Sequence, residues 1–225
     1  MGIIQNVRLI LSKLPPGIEV VAAVKGRSPQ EIAEAIDGGI KIIGENYVKQ
    51  AEQDFKIFSP KVKWHMIGHL QQNKTRTAAS IFDMIETVDS LELARALSKE
   101  CVRLNKEMPI LIEVNIAHEA QKSGATPEET LGLVTQIAKL PGLKVKGVMT
   151  MGPNLKDPES LRPYFAQARS IFEEIANLHI PGVEMTYLSM GMSNSYRIAI
   201  EEGANLVRLG RSIFDQTGRL GPSRK

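Results

Sequence analysis

One cysteine, Cys101, stands in a chain of 225 residues. A lone thiol cannot close an internal disulfide, which sets the chain apart from stapled secreted scaffolds and fits a reducing cytoplasm. A small apolar filler on a helix is the preferred reading of Cys101 over a catalytic thiol. Charge of one sign is also scarce. Lys and Arg number 28 against 25 Asp and Glu, for a net charge of +3. The two signs are interspersed, so nothing announces a nucleic-acid binder, and anionic small molecules are slightly favoured. No apolar run approaches the length of a membrane span. The opening MGIIQNVRLILSKL lacks the apolar core of a signal peptide, and Asn6 stands where a myristoylation motif needs Ser or Thr. The expectation is a soluble cytoplasmic protein with neither nucleic acid nor membrane as partner. Several catalytic signatures are missing too. No Walker loop or GxGxxG follows an apolar run, and no GxSxG elbow occurs. His65 and His69 have the spacing of a helical metal pair but lack the HExxH glutamate and straddle a strand end, so no metal is expected.

What is present is a regular alternation. Hydrophobic residues make up 43% and charged residues 24%, the balance of a globular protein with a sizeable core. Eight short apolar runs read as buried strands: residues 19–25, 39–44, 61–68, 82–88, 109–116, 143–150, 183–190 and 204–210. Each precedes a helix-like segment, and a leading helix is predicted over residues 2–13. Helix starts are marked by Ser28-Pro29-Gln30-Glu31, Asp89 with Glu92, Thr126-Pro127-Glu128-Glu129 and Asp157-Pro158-Glu159. Strands alternating with helices mean parallel pairing through crossovers. Eight such units predict a single (β/α)8 TIM barrel spanning residues 1–225, with an extra N-terminal helix and a polar, frayed tail at about 215–225. An open doubly wound sheet is the runner-up.

In such a barrel chemistry gathers where strands end. Lys25 closes the first run. On the face of Val21 and Ala23 its amine would sit at the mouth, where desolvation favours the neutral, nucleophilic form. The bland reading is a lysine snorkelling to water. The seventh run ends in SMGMSNS, residues 189–195, where Ser193 can cap the next helix and Tyr196 stands in place of a capping carboxylate. The eighth ends in VRLGRS, residues 207–212, where Gly210 admits close approach of a ligand and Arg211 and Ser212 add donors. Loops after strands seven and eight are where barrels hold phosphate, although each also reads as an ordinary helix start. Arg208 interrupts the last apolar run. It is either one half of a structural ion pair, with Glu113 as partner, or a ligand-facing cation that donates to a ring nitrogen and opposes its protonation.

These features, with the motifs AAVKGRSPQEI, IIGENYVKQ, WHMIGHLQQNK, GVMTM, LSMGMSNSY and VRLGRSIF, closely resemble the YggS/PROSC family of pyridoxal 5′-phosphate homeostasis proteins, over residues 20–214. The resemblance implies a fold-type III barrel, as in the N-terminal domain of alanine racemase, in which Lys25 forms an internal aldimine with the cofactor. It implies that Ser193, Gly210 and Arg211, with Ser212, hold the phosphate. Arg208 would face the pyridine nitrogen, and Asn46 and Met190 would line the ring pocket. The chain departs from the family pattern at VKGRS, at NIAHEAQKSG, and at Ser195, Arg211 and Asp215, where an aspartate, a Thr or Ser, and a glycine are usual.

Three functions compete on this reading. The first is a non-enzymatic protein that buffers or delivers pyridoxal phosphate, with cofactor-dependent apo-enzymes as recipients, and so affects amino-acid and keto-acid balance. The second is an amino-acid racemase. The third is a Schiff-base aldolase whose phosphate loops hold a sugar phosphate. Fold-type III racemases carry a second, β-rich domain that brings a catalytic tyrosine to the far side of the ring, and here eight units consume the chain. Racemase turnover is therefore expected to be weak at best. An arginine at the ring nitrogen makes the ring a poorer electron sink, which argues against transaminase-type chemistry. The first function is the expectation, in a monomer, since a closed barrel exposes no sheet edge.

Overall fold

Ser28 and Thr126 show how local chemistry starts the helices. Each hydroxyl accepts from the backbone N–H three residues on, and Glu31 or Glu129 reaches back to the capping residue's own N–H. Proline follows each cap, where its missing N–H costs nothing. Ser90 caps its helix by accepting from Leu93 N, so the start expected at Asp89 falls one residue later. Asp157 begins only a short 3-10 turn at Pro158–Leu161. Ser193 does not cap the helix that follows it, which starts at Tyr196 behind Ser195.

The computed structural model describes residues 2–215. Eight parallel strands close a barrel in sequence order: β1 (Glu19–Ala23), β2 (Ile42–Glu45), β3 (Lys63–Met66), β4 (Met84–Val88), β5 (Met108–Val114), β6 (Leu143–Thr150), β7 (Val183–Ser189) and β8 (Leu206–Leu209). Val21 pairs with Ile42 on one side and Arg208 on the other, which seals the ring. β6 matches its apolar run, and the other strands are shorter than theirs, because runs such as 19–25 and 61–68 continue into strand-end loops. The helices are α1 (Ile3–Leu11), α2 (Pro29–Gly38), α3 (Val48–Phe58), α4 (Thr75–Ile81), α5 (Leu91–Arg103), α6 (Pro127–Ile137), α7 (Arg162–Asn177), α8 (Tyr196–Glu201) and α9 (Arg211–Phe214). Of the expected tail only Asp215 falls within the described residues.

Alternation along each strand separates two apolar regions. One lies between the sheet and the helices. The other fills the barrel and takes a side chain from Val21, Ile42, Met84, Leu111, Met149 and Leu206, among others. Two residues further on, the same inward face changes character: Glu86 follows Met84, Glu113 follows Leu111 and Arg208 follows Leu206. The barrel therefore has an apolar floor with a polar layer above it, at the end where strands become loops. α1 packs against α2 and α9, and Asn6 Nδ2 donates to the Ile213 carbonyl at 3.0 Å, which ties the leading helix to the end of the fold.

Candidate cofactor site

Lys25 lies in the turn just past β1. Its side chain is exposed, not desolvated as the strand reading expected, because β1 ends at Ala23 and Gly26 turns the chain away. Its ammonium stands 5.3 Å from the centre of the Tyr47 ring, itself 56% exposed. Arg27 anchors this turn. It pairs with Glu31 at 3.2 Å and with Asp215 at 3.4 Å, and lies 4.9 Å from the Phe214 ring centre. The loop carrying Lys25 is thereby tied to the segment just after Arg211 and Ser212. Two departures from the family pattern, in VKGRS and at Asp215, contact each other here.

The loops after β7 and β8 are joined as well. Ser212 N donates to Ser193 Oγ at 3.1 Å, and Ser212 Oγ donates to the Ser193 carbonyl at 3.3 Å. Both serines are half-buried, while Arg211 is exposed. Gly191 shapes the first of these loops. Its φ is +90°, and a Cβ there would lie 2.5 Å from that of Ala199, so only glycine fits the turn. Ser195 Oγ accepts from Met192 N at 3.2 Å, closing the loop where the family pattern has an aspartate. At Gly210 an added Cβ would touch the Ala23 carbonyl at 3.4 Å, an ordinary contact, so packing does not demand glycine there. Asn46 is half-buried just past β2. Met190 is fully buried between sheet and helices, so its side chain is not brought to the mouth as expected. The reason is parity: Ser189 faces inward, and its neighbour must face out.

Arg208 is 5% exposed, inside the barrel below these loops. One terminal nitrogen donates to Ser189 Oγ and the other to the Thr150 carbonyl at 2.8 Å. Its nearest carboxylate is Glu86, with 3.8 Å between Nη1 and Oε2, and not Glu113. Burial lowers the guanidinium's pKa, opposed by the charges of Glu86 and Glu113, but an arginine starts so high that it stays a cation. Burial alone would raise the Glu86 pKa; the hydrogen bond and charge of His65, the charge of Arg208 and the Ser189 hydroxyl outweigh it and hold the carboxyl below its ordinary value. Glu113 is different. Burial, with the Asp89 charge, raises it to about 7 against the pull of Arg208.

Sequence reasoning missed Glu86 as a member of this layer and gave His65 and Ser189 only as residues near strand ends. A signal existed at Glu86: in FDMIETV it shares the parity of Met84, so an inward Met84 predicts an inward carboxylate. His65 is buried beside Glu86, while His69 is exposed and 3.5 Å from Asp89. Asn115 is absorbed into its own loop, exchanging hydrogen bonds with the Glu119 backbone.

A family model described as alanine racemase, N-terminal domain, matches residues 2–217. A pyridoxal phosphate homeostasis protein of Aquifex aeolicus is 35% identical over 199 residues, covering 88% of this chain and 86% of its own. This chain belongs to the YggS/PROSC family. A second member, the pyridoxal phosphate homeostasis protein of Pasteurella multocida, is 34% identical over 200 residues. Among solved structures, the family member PipY of Synechococcus elongatus, with pyridoxal phosphate bound, is similar at a TM-score of 0.87 and 30% identity, covering 94% of this chain and 99% of PipY. Outside the YggS/PROSC family, alanine racemase of Clostridium difficile shares the barrel alone, at 13% identity and a TM-score of 0.77 over 56% of its chain.

Proposed function

We propose that this chain binds pyridoxal 5′-phosphate covalently through Lys25, as one barrel domain, and serves its intracellular homeostasis instead of turning over a substrate. One observation carries the reading. A free lysine amine, a pair of cross-linked serine loops and a buried arginine converge on one end of a closed barrel. The names of the relatives and the cofactor held by PipY support it.

The donor set fits the group. When bound, the cofactor supplies an aldehyde that an amine can attack and a pyridine ring that draws electrons from whatever is attached. Lys25 presents the amine. The Ser193 amide and hydroxyl, the backbone at Gly210 and the Arg211 side chain offer donors for the phosphate, and the Ser212 amide and hydroxyl would have to exchange their bonds to Ser193 for it. Arg208, a donor without acceptor capacity, would face the lone pair of the ring nitrogen and disfavour its protonation. Asn46 would flank the ring. A ring kept neutral is a poor sink for electrons, which suits carriage of the cofactor better than carbanion chemistry. Apo-enzymes that use the cofactor would be the recipients. The racemase alternative rests on a barrel shared at 13% identity, which carries fold and not chemistry.

The test is optical. Protein incubated with pyridoxal phosphate should turn yellow, and borohydride should fix the cofactor to the peptide containing Lys25. Lys25→Ala should lose the visible band and the fixation, yet keep its thermal stability within about 0.5 kcal/mol, because the side chain is exposed. A Schiff-base aldolase would stay colourless and trap a sugar phosphate instead. A Lys25→Ala protein with the full visible spectrum would falsify the assignment.

A further inference from the structure

Four strands place His65, Glu86, Ser189 and Arg208 together beneath the mouth, all buried. Glu86 Oε1 lies 2.7 Å from His65 Nδ1, and Oε2 accepts from Ser189 Oγ at 2.6 Å. The same hydroxyl accepts from Arg208, whose other terminal nitrogen is fixed on the Thr150 carbonyl. Both carboxyl oxygens of Glu86 therefore have a partner, and the chain of contacts ends on Arg208. A buried carboxylate is costly unless it is paired in this way. The remaining titratable group facing Arg208 is Glu113 from β5, whose Oε2 has no partner among the described residues.

We propose that Glu86, held by His65, is a positioning residue that sets how strongly Arg208 acts on the ring of bound pyridoxal phosphate. The inference rests on the cofactor reading above. A bare guanidinium in a low-dielectric interior repels positive charge over several ångströms. The bound cofactor carries such a charge when the nitrogen linking it to lysine is protonated. The Glu86 carboxylate offsets the guanidinium at 3.8 Å and so lets that proton stay. Ser189 and the Thr150 carbonyl fix the direction in which Arg208 points.

The readout is the pH titration of the visible band in protein loaded with pyridoxal phosphate. Glu86→Gln keeps the shape and removes the charge. Its titration midpoint should fall by about one pH unit, a tenfold loss of proton affinity. Glu86→Asp keeps the charge with a shorter side chain and should titrate close to the wild type. A purely structural role predicts the reverse order, since glutamine is the closer fit. Glutamine titrating like the wild type, or aspartate shifting as far as glutamine, overturns the proposal. If Glu86→Gln does not fold, Glu86→Met, similar in length and without charge, carries the test. Its midpoint should fall in the same direction by at least as much, and a folded Glu86→Met protein with an unmoved midpoint counts against the proposal. A wild type that acquires no visible band defeats the cofactor reading, and this inference with it. A wild-type band with unmoved variants defeats the inference alone.

Discussion

Glu45 ends β2 fully buried, with neither carboxyl oxygen hydrogen-bonded among the described residues, facing the buried Asp54 of α3. Burial first, and then the Asp54 charge, raise its pKa to about 8. The unfolded chain releases this proton near its ordinary value of 4.5. Between those values the folded state binds more protons than the unfolded one, so stability falls as pH rises through that window and levels off above it. Glu45→Gln removes this contribution. The variant should melt near the wild type at about pH 5 and clearly above it at about pH 9. Parallel melting curves for the two proteins across that range would rule the explanation out. The same side chain shows a limit of sequence reading. GEN marks a strand end, but the sequence does not say that its carboxylate faces the helix layer. Arg208 repeats the point with a partner: its ionic nature was legible, yet Glu113 was the expected carboxylate and Glu86 is the nearer one.

Among the elements, β6 depends most on a single backbone position. Its register against β7 shifts between Val145 and Gly147. Gly147 has a φ of +148°, and a Cβ there would fall 1.8 Å from the Tyr187 carbonyl oxygen. Gly147→Ala must strain the backbone or push the strands apart, and should destabilise the fold by more than about 2 kcal/mol. Denaturant titration reads this directly, and a change within about 0.5 kcal/mol would contradict it. A second consequence should follow at the site, because β6 carries the Thr150 carbonyl that fixes Arg208. Helix starts were far more legible than this bulge. Ser28 and Thr126 cap through contacts three residues away, and such contacts need no tertiary partner. Asp89 is not the cap: Ser90 next to it accepts from Leu93 N, and the Asp89 carboxylate stands 3.5 Å from His69.

The molecule as a whole is a ring in which every strand has a neighbour on both sides. Among the described residues no sheet edge is left to pair with another chain, and Asn6 fastens the leading helix to Ile213. Sedimentation at micromolar concentration should therefore show a one-chain species, with or without pyridoxal phosphate. A stable dimer would mean that another surface, away from the sheet, drives association. Among the described residues no helix is long and apolar enough to cross a membrane.

Eight apolar runs separated by capped amphipathic stretches were enough to specify a barrel, because strand and helix periods, caps and turns are all short-range. The place of Lys25 at the first strand end and of the serines after the seventh and eighth followed from the same order. Closure of the ring settled the rest. Ser189 and Glu86 lie 103 residues apart in sequence and meet across the interior. Alternation tells which face a side chain takes, but not which residue of the opposite wall stands within reach; shear and tilt of the closed sheet decide that, and they exist only once all eight strands have paired.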